Sequence, residues 1–164
     1  MTAARERELD SHWMRQAVAA AEEARARGEV PIGTCIVSGE TVLAVAGNRT
    51  RTDGDPTAHA EIVALREAAA KAGNYRLPDA VVYSTIEPCV MCAGALIQAR
   101  VRRLVYGTRD ERAGAVESHF GVCETDFLNH RIEVTAGVLE DECRELMQEF
   151  FRARRGNQRM RDEG

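Results

Sequence analysis

Ala80-Val81-Val82-Tyr83-Ser84-Thr85-Ile86-Glu87-Pro88-Cys89-Val90-Met91-Cys92 reads as a β-branched strand, Ala80 to Thr85, running into a helix that Pro88 opens. That helix continues through Ala93, Leu96 and Ile97 and carries Cys89 and Cys92 on one face of its first turn. His59-Ala60-Glu61 lies upstream. Two cysteines and a histidine form a ligand set of the kind that holds Zn²⁺ tetrahedrally, and three protein ligands leave the fourth position open to water. A structural zinc takes a fourth protein ligand, and no other Cys or His stands at short ligand spacing from either motif. The count is that of a catalytic zinc, with Glu61 as the candidate for proton transfer. A Cys-x-x-Cys beside a βαβ pattern also serves as a redox pair, but that reading gives His59 and Glu61 no task.

Outward from this stretch, Asp55-Pro56-Thr57 has the chemistry of a helix start, and Ile62, Val63, Leu65, Ala68 and Ala69 continue the helix to Gly73. His59 and Glu61 then fall in its first turn. Residues two apart point about 200° apart around a helix, so they can serve one site only where the helix addresses the metal end-on. Helix N-termini favour thiolates and other negative charge, so both helices suit the site.

Earlier in the chain, Asp10 or Ser11 stands as an N-cap before Trp13, Met14, Ala17, Val18, Ala21 and Ala24, predicting an amphipathic helix of about 17 residues. Val30 to Val37 reads as a buried strand, Ser38-Gly39-Glu40 as a hairpin turn and Thr41 to Ala46 as its antiparallel partner. Asn48 follows where a loop enters the site, which makes it a candidate for reading a base edge. Later, Arg103 to Gly107 and Ile132 to Thr135 read as strands, the polar Thr108–Asn129 segment as a functional loop, and Glu140 to about Arg155 as a last helix. His12, His119 and His130 read as surface or packing residues. An opening hairpin followed by alternating strands and helices predicts a three-layer α/β/α sandwich around a five-stranded mixed sheet.

The 164 residues, 45% of them hydrophobic, are expected to form a single domain, residues 1–164. A net charge of −4 excludes a generally basic nucleic-acid-binding surface. Charge is uneven, however: residues 151–164 hold five arginines against Asp162 and Glu163, a basic helix end of either solvated or phosphate-contacting character. The cysteines outside the motif, Cys35, Cys123 and Cys143, are odd in number and irregular in spacing, which is not a disulfide framework. The N-terminus lacks an apolar signal region and no eighteen-residue apolar run occurs, so a cytoplasmic chain outside the membrane is expected.

His-x-Glu followed by Pro-Cys-x-x-Cys resembles the signature of the zinc-dependent cytidine and nucleobase deaminases. Glu29-Val30-Pro31-Ile32-Gly33, Gly47-Asn48-Arg49, Asp55 to Ile62, Glu87 to Ala95, Gly107-Thr108-Arg109-Asp110, Asn129-His130-Arg131 and Phe150-Phe151-Arg152 are similar to the bacterial tRNA-specific adenosine deaminases, over residues 10–155. The resemblance implies one Zn²⁺ on His59, Cys89 and Cys92, and Glu61 passing protons between water, the purine N1 and the departing ammonia. It places Asn48, the Ala60 backbone and Asp110 among substrate-binding residues. The implied reaction turns the wobble adenosine of a tRNA anticodon stem-loop into inosine, in a homodimer. Arg154 and Arg155 are the candidate phosphate contacts. The segment Val116–Leu128 departs from the resemblance through Glu117, Glu124 and Asp126, carboxylates that would repel phosphate if they faced RNA. A deaminase of free bases or nucleotides, such as guanine or cytosine, would share every zinc residue, whereas an inactive zinc module would not need Glu61.

Overall fold

The computed structural model describes residues 1–163. Helix α1 (Ala3–Ala26) is followed by the hairpin β1 (Gly33–Ser38) and β2 (Thr41–Gly47), then α2 (Ala60–Ala72), β3 (Ala80–Ile86), α3 (Val90–Gln98), β4 (Arg103–Thr108), β5 (Glu133–Ala136) and α4 (Glu140–Asp162). The strands form one mixed sheet in the order β2-β1-β3-β4-β5, with β1 antiparallel to both neighbours and β3, β4 and β5 parallel.

Alternation along the strands builds the two sides of the core. Cys35, Val37, Val81, Tyr83 and Val105 face Met14 and Ala17 of α1 and Cys143 of α4. Ile36, Val82 and Leu104 face the opposite way, onto Ala64 and Ala68 of α2 and Leu96 and Ile97 of α3. Every residue of β3 and β4 is buried, as central strands covered on both faces require. The architecture is the expected three-layer α/β/α sandwich. Among the described residues no helix is long and apolar enough to cross a membrane.

Several boundaries differ from expectation. Helix α1 starts at Ala3, where Thr2 Oγ1 accepts the Arg5 N–H at 3.2 Å. Asp10 is no cap: it is buried, and its carboxylate takes two 2.8 Å bonds from Arg103. Strand β1 starts at Gly33, past Pro31. Helix α2 starts at Ala60, not beside Pro56, because Asp55 Oδ1 accepts from Thr57 N and Oγ1 at 2.8 and 2.7 Å and closes a local turn. His59 is therefore the N-cap. Gly73 ends α2 in the left-handed conformation, φ 66°. Strand β5 is shifted by one residue, a short 3₁₀ turn (Val122–Glu124) interrupts the long loop, and α4 runs past Arg155 to Asp162.

Candidate active site

The N-termini of α2 and α3 meet beyond the end of β3, beside the change from antiparallel to parallel pairing that divides β1 from β4. Cys89 and His59 are both N-caps with extended backbone, φ/ψ −73°/175° and −65°/153°, and neither side chain caps its helix. Both side chains are free to face each other. His59 Nδ1 lies 3.6 Å from Cys89 Sγ and 3.5 Å from Cys92 Sγ. Zinc bond lengths at the tetrahedral angle give an N···S edge of about 3.6 Å. The separations fit the ion, and the ligand atoms all lie within 4.8 Å of one another. Helix α2 addresses the group with its N-terminus, as expected, and α3 does the same; His59 and Cys89, expected within the first turns, are the N-caps just outside them.

The two thiols are shifted in opposite directions. A hydrogen bond from Cys92, with another from His59, holds the Cys89 thiol far below its ordinary value, against the effect of burial. Cys92 is shifted the opposite way, raised by its bond to Cys89 and by burial. Glu61, in the first turn of α2, is 3% exposed, and its Oε1 has no hydrogen-bond partner. Burial pushes its carboxyl above the ordinary value, partly offset by Cys92 and a backbone N–H. An orphaned carboxylate oxygen beside an unsaturated ligand set is a group held ready for another molecule's proton.

Two further buried carboxylates flank this centre; each opens a stretch that carries the family resemblance, but the sequence assigns neither a role. Glu29 accepts from Thr52 N and Oγ1 at 2.6 and 2.9 Å and from Asn48 Nδ2 at 3.1 Å, so it shapes the loop leaving β2. Asn48 is buried at the end of β2, and the next residue's N–H reaches Ala58 O at 2.9 Å, which brings this loop beside His59. Glu87, between β3 and Cys89, binds the segment 110–118 through its backbone N–H groups. The signs in the sequence are its place at the head of the Glu87–Ala95 stretch and a charge directly after a buried strand.

The chain from residue 9 to residue 155 matches the model of the MafB19-like deaminases. It is 43% identical over 149 residues to the tRNA-specific adenosine deaminase of Haemophilus influenzae, covering 90% of this chain and 86% of that one. It is 45% identical over 145 residues to the Agrobacterium fabrum protein of the same name, covering 88% and 95%. The chain belongs to the tRNA-specific adenosine deaminase family. A solved structure from work on A-to-I editing by tRNA:A34 deaminases superposes with TM-score 0.80 at 45% identity, over 82% of this chain and 98% of that one. The guanine deaminase of Nitrosomonas europaea superposes with TM-score 0.73 at 26% identity, over 85% and 83%.

The other candidate residues of this tRNA-specific adenosine deaminase family member are not drawn into the His59–Cys89–Cys92 group. Ala60 is fully buried as the first residue of α2. Asp110 turns its carboxylate onto its own loop, where Oδ1 accepts from Arg112 N and Ala113 N at 3.0 and 3.2 Å. Arg154 and Arg155 are exposed on α4, which packs on the face opposite α2 and α3. They diverge: Arg154 stacks over Phe150, 5.8 Å from the ring centroid, while Arg155 lines a cleft with Arg112, Met147, Gln148, Phe151 and Arg152. His119 and His130 place Nε2 against the carbonyls of Glu111 and Val101.

The acidic segment is largely compensated within the chain. Glu117 accepts the Tyr106 hydroxyl at 2.5 Å and pairs with Arg109 at 3.7 Å, and Asp126 pairs with Arg131. Glu124 is exposed.

Proposed function

We propose that this chain hydrolyses the C6 amino group of the wobble adenosine in a tRNA anticodon loop, giving inosine and ammonia. The observation that carries this reading is the unpartnered, buried Glu61 Oε1 beside the His59–Cys89–Cys92 group, in a chain 43 and 45% identical to named tRNA-specific adenosine deaminases. His59 Nδ1 and the Sγ atoms of Cys89 and Cys92 hold one Zn²⁺, which supplies the Lewis acidity that makes water nucleophilic at neutral pH. Glu61 accepts the proton that the attacking water gives up. It returns one proton to the purine N1 and assists the loss of ammonia from C6.

A base in a stacked loop is out of reach of so enclosed a carboxylate, so the adenine must leave its stack. Asn48 and the Ala60 backbone receive it, the first held by Glu29 at 3.1 Å. Asp110, whose carboxylate closes the turn that follows β4, supplies the remaining substrate contact from that loop. Arg154 and Arg155 provide positive charge for backbone phosphates, and a second copy of the chain completes the RNA surface of a cytoplasmic homodimer.

A deaminase of free guanine or cytosine would use the same metal residues. Identities of 43 and 45% over about nine-tenths of the chain to proteins named for tRNA, against 26% over 85% for one guanine deaminase and 37% over only 60% for another, favour the RNA substrate. The test incubates the protein with an anticodon stem-loop and, separately, with free nucleobases, and follows amine-to-oxygen exchange by mass spectrometry. Exchange confined to the stem-loop is expected. Exchange confined to a free base overturns the substrate, and exchange in neither overturns the reaction.

A further inference from the structure

Glu87 has no task in the reaction as described, yet it is 1% exposed. Its partners are all N–H and O–H groups of one later segment. Oε1 accepts the Asp110 N–H at 3.2 Å and the Ser118 hydroxyl at 2.5 Å. Oε2 accepts the N–H groups of Val116, Glu117 and Ser118 at 3.1, 2.8 and 2.9 Å. Both oxygens therefore face donors only, an arrangement that a carboxylate satisfies and an amide does not.

The same segment is fastened a second time, directly onto the metal group. Gly114 forms an isolated antiparallel bridge with Cys89, and the Ala115 N–H donates to Pro88 O at 2.9 Å. Gly114 also lies against the carboxylate itself: a Cβ there would come within 2.4 Å of Glu87 Cδ. Glu87, Gly114 and Cys89 are thus one packed unit, in which the carboxylate sets the path of the backbone that covers the ligand. Cys89 is the N-cap of α3: its carbonyl accepts the Ala93 N–H at 2.9 Å, but its backbone is extended and its side chain caps nothing, so the helix anchors one side of Cys89 and the bridge to Gly114 the other.

We propose that Glu87 is a positioning residue for the metal centre: it clamps the segment 110–118 across Pro88 and Cys89 and so keeps Cys89 Sγ at ligating distance. This rests on the metal reading above. It assigns no contact between Glu87 and the substrate, so its effect must reach the reaction through the retention of Cys89.

The test measures release of zinc from the folded holoprotein to a chromogenic chelator, for the parent, Glu87→Gln and Gly114→Ala. Loss of a residue that holds a metal ligand in place costs about 10- to 100-fold in metal affinity, and both variants are expected to release zinc faster by that order. The Gly114 variant perturbs the clamp from its other side and serves if Glu87→Gln does not fold. In the parent, the amides of Val116, Glu117 and Ser118 are expected to exchange slowly with solvent deuterium although they lie outside helices and strands. A merely structural Glu87 would lower the melting temperature and leave the release rate of the folded protein unchanged. Parental release rates in both variants, or loop-like exchange at those three amides, overturn the inference alone. A parent protein that binds no zinc overturns the metal reading and the inference together.

Discussion

Asn48 gives its side-chain nitrogen to Glu29 Oε2 at 3.1 Å, with both residues buried, so the carboxylate fixes which way the amide faces. An ionised carboxylate only accepts, and the Asn48 carbonyl oxygen must point away from it. Glu29→Gln removes that constraint and lets the amide turn over. Hydrogen bonds to charged groups contribute about 1.5–3 kcal/mol, so KM for an anticodon stem-loop is expected to rise about tenfold or more, with zinc content unchanged. Steady-state kinetics with elemental analysis of the same preparation checks this; an unchanged KM removes Asn48 orientation from substrate binding.

Glu61→Gln keeps the shape of the side chain and removes its capacity to take a proton. The side chain is not among the three ligand groups, so zinc content and fold should persist. Loss of a general acid–base group costs about 10² to 10⁴-fold, and one residue serving several transfers belongs at the upper end. A variant that turns over near the parental rate excludes Glu61 as the proton carrier.

The three cysteines outside the metal group respond differently from those within it. Burial raises the Cys35 and Cys143 thiols from 9.0 to about 12 and Cys123 to about 11. A raised folded-state value stabilises the protonated form: that contribution is fully present below pH 9 and is lost as pH rises through 11 to 12. At pH 8 a thiol reagent should label none of these three in the folded protein. Chelation should add Cys89 first, since it is only half-buried, and denaturant should release all five. Labelling of Cys35, Cys123 or Cys143 in the folded protein at pH 8, located by peptide mass, contradicts the packing described.

The metal group is legible in the sequence because few residue types ligate zinc, whatever path the chain takes between them. The two layers of helices follow from the β-branched run of β3, a central strand that needs cover on both faces, and the apolar spacing in α1, α2 and α3. Glu87 and Glu29 are not legible in the same way. Their partners include backbone N–H groups up to 31 positions away, and every non-proline residue supplies an N–H, so the pairing leaves no trace in composition. Asp55-Pro56-Thr57 serves a turn and a helix start equally well, and only the position of His59 against the cysteines separates them. The early start of α1 and the late end of α4 are hidden for another reason. Both stretches are charged and exposed with no apolar face to reveal the period, and Gly156 and Asn157 read as the end of a helix rather than its continuation.

Asp10 and Arg103 tie α1 to β4 through paired bonds of 2.8 Å, with side chains 4% and 7% exposed. Tyr83 adds its hydroxyl to Asp10 at 3.0 Å. Removing one member of a buried pair leaves the other uncompensated and costs about 3–5 kcal/mol. Glu6 and Glu133, 3.6 and 3.8 Å from the guanidinium, can partly replace the lost carboxylate. Asp10→Ala should therefore fall at the lower end, about 3 kcal/mol, and Arg103→Ala, which strands Asp10 beside Tyr83, above it. Urea unfolding of both variants checks the order; equal losses would remove the compensating role of Glu6 and Glu133.

The strongest basic grouping on α4 joins Arg155 and Arg152 to Arg112, which belongs to the loop next to Asp110. Arg154 lies on another side of the helix, over Phe150. A phosphate bound near the pocket is thus expected to meet Arg112 and Arg155 first. Each phosphate neutralised on a single strand contributes a slope of about −0.7 to the logarithmic salt dependence of binding. Arg112→Ala with Arg155→Ala should flatten that dependence by about 1.4 units, and Arg154→Ala alone should change it less. The substitutions leave the metal group and Glu61 in place, so the double variant should raise KM for the stem-loop and keep kcat. Binding measured across a salt series with turnover at saturating RNA separates the cases: an unchanged slope in the double variant makes this end of α4 a solvated helix end and moves RNA recognition to other parts of the surface.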